Sequence, residues 1–249
     1  MKKNIFLFAA FLFVLQACGN QPQTETETTE THESEYIAAK SDDFTVIGDG
    51  SNRNWEKAEW LPLTQRRPAE IDQSRAVKVK LLYSEAGIYC LFDCTDKKIT
   101  ATMEADFSDL WTEDVAEVFF WTDESSPVYF EYEISPLNYE LPILVYNNEW
   151  ELLRWQPFYY ETNRQTQHAV TIRDGEQKPH AEITGWTAEF FIPYKLLFPL
   201  NNVPPKSGDK WRANFYRIDY DEERSKNWSW QLTERNFHDY SKFGTLMFE

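Results

Sequence analysis

Asp109-Leu-Trp-Thr-Glu-Asp-Val-Ala-Glu-Val-Phe-Phe120 decides how this chain reads. From Val115 onward the residues are those of a strand, and alternation splits them into two faces. Ala116, Val118 and Phe120 fall on one face, and Val115, Glu117, Phe119 and Trp121 on the other. Trp111 stands at the mouth of this strand. A planar ring beside a fixed carboxylate is the minimum equipment for holding a sugar: the ring packs on the C–H face of a pyranose, and the carboxylate accepts from its hydroxyls. The plainer reading of Trp111 is packing.

The same period recurs on either side. Val77–Leu81, Ile88–Cys94, Val128–Ile134, Glu140–Tyr146, Trp186–Ile192, Lys210–Ile218 and Thr245–Phe248 read as further strands. Turn signals separate them, among them Asp49-Gly50, Ser125-Ser-Pro127, Asp174-Gly175 and Ser207-Gly-Asp209. Only Pro193–Leu197 reads as a short helix, with proline at its start. Many short strands and little helix define an all-β chain, an antiparallel β-sandwich. Residues 41–249 read as one domain. In 128–134 the apolar face is Phe130, Tyr132 and Ile134, opposite Glu131 and Glu133. In 210–218 Trp211, Ala213 and Phe215 point inward, and Arg212, Asn214 and Tyr216 outward. If these strands pair with 115–121, then Glu117, Glu133, Arg212, Asn214 and Tyr216 share a polar, aromatic-flanked face. The bland alternative is a solvated face with routine cross-strand ion pairs.

Four blocks in order resemble the family 9 carbohydrate-binding modules, within the broader DOMON-like sandwiches. They are Ile47-Gly-Asp-Gly50 with Trp55–Trp60, then Leu110–Phe119, then Gly185–Pro193, and last Gly208–Asn214 closing in Asn236–Leu246. The resemblance implies that two aromatic rings clamp a terminal sugar. Trp111 stands at the first ring position and Phe237 at the second, where the family usually has Trp. Glu117 matches its hydroxyl-binding carboxylate. Other positions depart from the pattern: Glu133 stands where an arginine is found, and Tyr216 where an amide is found. Glu234, Arg235 and Asn236 replace an amide-rich run. Structural Ca²⁺ is frequent in the family, and the acidic run Asp106 to Asp114 offers ligands.

At the other end of the chain, Lys2 and Lys3 precede an apolar run, Ile5–Leu15, too short for the roughly 20 residues of a membrane span but suited to a signal peptide. Leu15-Gln-Ala-Cys18 resembles a bacterial lipobox. The expectation is a signal peptide over 1–17, a lipidated Cys18, and a lipoprotein at the outer membrane on its periplasmic or cell-surface face. Residues 18–40, acidic and rich in Thr and Glu, read as a tether that cannot bury enough surface to fold.

A net charge of −16 with no basic stripe excludes nucleic-acid partners and disfavours acidic polymers. A neutral glycan suits the chain, with glycoside hydrolases on the same membrane as expected partners. Cys90 and Cys94 share one face of a strand, too far apart to pair, and read as small buried hydrophobes.

Other readings stay open. Abundant carboxylates fit a glycoside hydrolase, although no hydrolase motif surrounds Asp114 and Glu117. A haem module would need Met103 opposite His168, His180 or His238. A surface scaffold or protein-binding module needs no sugar site at all.

Overall fold

The computed structural model describes residues 34–67, 71–72, 74–148 and 151–249. The segment read as a signal peptide, Cys18 and the part of the expected tether up to residue 33 lie outside the described residues, as does Trp150. Among the described residues the strands are β1 (Glu35–Lys40), β2 (Leu61–Pro62), β3 (Thr64–Gln65), β4 (Val77–Tyr83), β5 (Gly87–Thr95), β6 (Val115–Trp121) and β7 (Val128–Ile134). They continue with β8 (Glu140–Asn148), β9 (Glu151–Pro157), β10 (Gln167–Arg173), β11 (Gly185–Pro193), β12 (Lys210–Asp219), β13 (Lys226–Ser229) and β14 (Gly244–Phe248). One α-helix, α1 (Tyr194–Leu197), follows Pro193. No helix among the described residues is long and apolar enough to cross a membrane.

Hydrogen bonding joins β9-β8-β7-β6-β12-β14-β1 in one sheet and β1-β4-β5-β11-β10 in the other. The inward faces meet in a single apolar core. Ala116, Val118 and Phe120 of β6 and Phe130, Tyr132 and Ile134 of β7 face Cys90 and Phe92 of β5 and Trp186, Ala188 and Phe190 of β11. Tyr132 stacks on Phe190 across the layers at 4.6 Å. Cys90 and Cys94 are free and buried in this core, and burial pushes both thiols up, Cys94 to about 12.

The sandwich departs from the expected all-antiparallel form at β1. Glu35–Ala38 runs parallel to β14, and Ala39 and Lys40 run parallel to β4. One strand therefore belongs to both sheets. It also lies inside the segment read as tether to residue 40; the sheet takes it from Glu35 onward. Tyr36 and Ala38 are buried, and the Tyr36 hydroxyl donates to the Glu59 carbonyl at 2.8 Å and accepts from Leu81 N at 3.1 Å. Two inward residues are too short a period to stand out beside the polar run. β9 and β10 were also missed by periodicity. Both are edge strands with partly exposed residues throughout, so neither shows clean alternation.

The second and third family blocks meet at one end of the sandwich, in a buried ion cluster. Arg217 reaches Asp96 at 2.8 Å and Asp114 at 3.7 Å, and Arg75 pairs with Asp96, Asp219 and Asp221. Trp186 donates its indole N–H to Asp96 at 3.1 Å. A second junction ties the first block to the third. Buried Glu189 accepts from Ile47 N, Gly48 N and the Trp55 indole, each at 2.8 Å. Gly48 sits at φ +91°, and a Cβ there would meet the Ala169 carbonyl carbon at 2.8 Å, so only glycine fits this approach.

Candidate functional site

The outer face of the sheet containing β6 carries its own buried cluster. Val115, Phe119 and Trp121 pack there with Tyr129, Leu141, Ile143, Val145, Tyr216 and Ile218. This face is not solvated: the Trp111 turn, β9 and the loop around Phe237 supply its cover, through Trp111, Leu152, Trp155, Phe237 and Tyr240. The cover is incomplete. A cavity of about 450 Å³ opens between these pieces, lined by Trp111, Trp155, Glu117, Glu131, Glu133 and Phe237 together with Arg66, Asn227 and His238.

Strand register builds its floor. Glu117 of β6 lies opposite Glu133 of β7, and Phe119 opposite Glu131. On the other side, Tyr216 of β12 lies opposite Glu117. Glu131 and Glu133 are two residues apart on one strand, so three carboxyl groups share one patch of one face. All three are buried. Oε2 of Glu117, Oε2 of Glu131 and both oxygens of Glu133 have no hydrogen-bond partner. Desolvation raises all three acids. Glu117 is pushed to about 8, against the pull of Arg66 and Arg217; the charge of Glu117 raises Glu131 further, and Glu117 and Glu131 raise Glu133.

The turn that carries Trp111 is held by acids of the opening motif that turn away from the cavity. Asp114 accepts from Thr100 N and Tyr220 N, each at 2.8 Å. Glu113 accepts from Met103 N at 3.1 Å and from Thr102. Leu110 is buried, and Tyr220 OH donates to the Trp111 carbonyl at 3.0 Å. The half-buried Trp111 ring meets Trp155 of β9 edge to face, with centroids 5.0 Å apart.

Phe237 lines the cavity but is not set as a second open platform. Its ring stacks on Tyr216 at 4.1 Å and 7°, and the Arg66 guanidinium lies 4.6 Å from its centroid. A parallel ring at that distance leaves no room for a guanidinium on the same face, so Tyr216 and Arg66 take one face each. Tyr216 is fully buried beneath it, donating to the Phe237 carbonyl at 2.8 Å. Asn214 donates to Tyr216 OH and to the Gln231 carbonyl, and Arg212 donates to the Phe243 carbonyl. The structure thus brings Trp111, Glu117, Glu133 and Phe237 to the cavity. Arg212, Asn214 and Tyr216 share the face but not the cavity wall; they hold the covering loop down.

Sequence reasoning placed Glu131 on this face without naming it for the site, and did not name Trp155 for it either. Arg66, Asn227 and His238 carry no local signal; only the tertiary fold brings them here. His238 bonds Tyr129 OH through Nδ1, stacks near Phe119, and is held neutral by burial, its pKa lowered to about 4.

Among the described residues no three carboxylates of the acidic run Asp106–Asp114 converge on one point. Asp106 accepts from Glu140 N, and Asp114 is committed as described. Among the described residues the carboxylates that do converge are Asp96, Asp219 and Asp221. They close on the Arg75 guanidinium, which already supplies the cation. These residues do not fit a metal ion as well.

Comparison with known proteins agrees with this architecture. The model of the carbohydrate family 9 binding domain-like family matches residues 47–249, and the chain belongs to that family. An extracellular protein of Arthroderma benhamiae is 28% identical over 183 residues, covering 68% of this chain and 77% of the relative. A Bacteroides uniformis protein, described as a candidate carbohydrate-binding protein, superposes with a TM-score of 0.70 at 19% identity, over 86% of this chain and 99% of its own. A family 9 module from Caldicellulosiruptor kristjanssonii, solved with cellotriose, gives 0.61 at 15% identity, over 87% of this chain and 94% of its own. The same module solved with glucose gives 0.60.

Proposed function

We propose that the chain is a non-catalytic carbohydrate-binding protein that holds a glycan without acidic groups in the cavity at Trp111. The observation that carries this reading is the cavity itself, with a half-buried indole at its wall and unpartnered carboxyl groups on its floor. Its volume, about 450 Å³, is in the range of small-ligand sites. Trp111 offers its ring to the C–H face of a pyranose, Trp155 braces that ring, and Glu117 and Glu133 meet the hydroxyls. Phe237 acts as a wall of the pocket rather than as the second jaw of a clamp. The glucose and cellotriose complexes of the related module support the ligand class.

Hydrolysis is the weaker reading. A glycosidase needs one carboxylate ionised while its partner carries a proton. Here burial raises all three acids in the same direction, so nothing sets one of them apart as the ionised partner. The lipobox-like Cys18 supports a lipoprotein at the outer membrane that captures polysaccharide beside glycoside hydrolases.

The test is calorimetric titration of the protein with glucose, cello-oligosaccharides and a polysaccharide panel. Saturable binding without release of sugar is the expected result. No binding across the panel, or release of product, would overturn the reading.

A further inference from the structure

The floor of the cavity holds more acid than a neutral sugar can use. Glu117, Glu131 and Glu133 are 1%, 4% and 0% exposed. Among the described residues no lysine or arginine lies within ion-pair distance of any of them. The nearest basic atom is His238 Nδ1, 3.9 Å from Glu131 Oε2, on a ring that burial holds neutral. The arginines of the cavity serve its covering loop. Arg66 donates to the carbonyl and hydroxyl of Thr233 and lies on Phe237. Arg67 donates to the Arg235 carbonyl at 3.5 Å, and Arg235 stands at the wall on the same loop. Arg66 and, less strongly, Arg217 act on Glu117 beyond ion-pair distance, and each is bonded elsewhere, Arg66 to Thr233 and Arg217 to Asp96.

Three carboxyl groups in one desolvated patch cannot all lose their protons unless a cation arrives. A hydroxyl brings one donor and no charge, so it satisfies one acid and leaves the others unpaired. An ammonium brings three donors and the missing charge, and its bonds to carboxylates are the stronger, charge-assisted kind. Indole faces suit a cation as well as they suit a sugar ring.

We propose that the ligand is an amino sugar with a free ammonium group, its ring on Trp111 and its ammonium among Glu117, Glu131 and Glu133. This rests on the carbohydrate-binding reading and narrows it. Each carboxyl group that ionises on binding gives its proton to solvent, and the ammonium keeps its own three. No covalent bond changes.

The experiment is titration of the protein at pH 7 with glucosamine hydrochloride, glucose, N-acetylglucosamine and glucuronate. Glucosamine should bind about tenfold or more tighter than glucose and N-acetylglucosamine. Its heat should vary with the ionisation heat of the buffer, reporting proton release. Glu133→Gln should bring the glucosamine-to-glucose ratio down toward one, and Glu131→Gln serves if the first variant does not fold. Glucose or N-acetylglucosamine binding as tightly as glucosamine would overturn the inference and leave the sugar site standing. Glucuronate binding tightest would also overturn it and give recognition to the arginines. If none of the four sugars binds, and no glycan of the wider panel does, the carbohydrate reading falls with it.

Discussion

Trp111 and Phe237 look alike in the sequence, as aromatic residues at two positions of one family pattern, and differ in the fold. Trp111 is half-buried, and its ring meets Trp155 edge to face. Trp111→Ala should therefore weaken binding by about 1–3 kcal/mol, the cost of a lost stacking ring by analogy with bases on aromatic side chains, while the melting temperature shifts little. Calorimetry and thermal denaturation on the same sample separate the two effects. Phe237 is sandwiched between Tyr216 and Arg66. Phe237→Ala should lower stability by roughly 1–3 kcal/mol, read from a denaturant midpoint, with any loss of sugar binding following from a loosened loop. What the sequence told at this scale was direction: alternation put Glu117, Glu133, Arg212, Asn214 and Tyr216 on one face, and they are there. It could not tell which of them a covering loop would consume. That depends on where residues 231–243 lie down, and the partners there, such as Arg66 with Thr233, are far apart in the chain.

At the level of elements, the family blocks turn out to be joints. Glu189, in the third block, ties down the first by accepting from Trp55, Ile47 and Gly48. Glu189→Ala would leave three donors without an acceptor, those of Gly48 and Trp55 buried, and should cost about 3 kcal/mol. Urea unfolding measures this, and Glu189→Gln, which keeps one acceptor, should lie between wild type and Ala. The strands whose alternation was clean are those with one face in the core and strands on both sides. β9 and β10 were illegible because an edge strand needs less burial, and β1 because only Tyr36 and Ala38 point inward. Ala38 is fully buried, so Ala38→Asp should cost several kcal/mol by placing an unpaired charge in the core. Failure of this variant to destabilise the domain would contradict the place of β1 in the sheet.

Across the whole molecule, the site acids link stability to pH. Glu117 has its folded-state pKa raised to about 8 from an ordinary 4.5, so the folded protein holds a proton that the unfolded chain has released. Its contribution is complete below 4.5 and is lost as pH rises through about 8. Asp114, raised to about 7, and Glu131 and Glu133 act in the same direction. His238 opposes them at the acid end. Its pKa falls from 6.5 to about 4, so its contribution is present above 6.5 and is lost as pH drops through 4. The melting temperature should thus fall between pH 6.5 and 8.5, where only the raised acids act, and Glu117→Gln should flatten that slope. A melting temperature that stays flat over this interval would show that the acids are already ionised in the folded protein.

β1 has a mechanical meaning. Among the described residues it is the first strand and the only one hydrogen-bonded to both sheets. A load entering at Glu35 pulls this strand along its own length, so its bonds to β14 and β4 resist in shear, all at once, instead of peeling one after another. The cavity floor lies on β6 and β7, which are not bonded to β1; along the sheet, β14 and β12 stand between. A pull on the first strand would therefore be taken up in the seam between the sheets before it could disturb the face that carries the cavity.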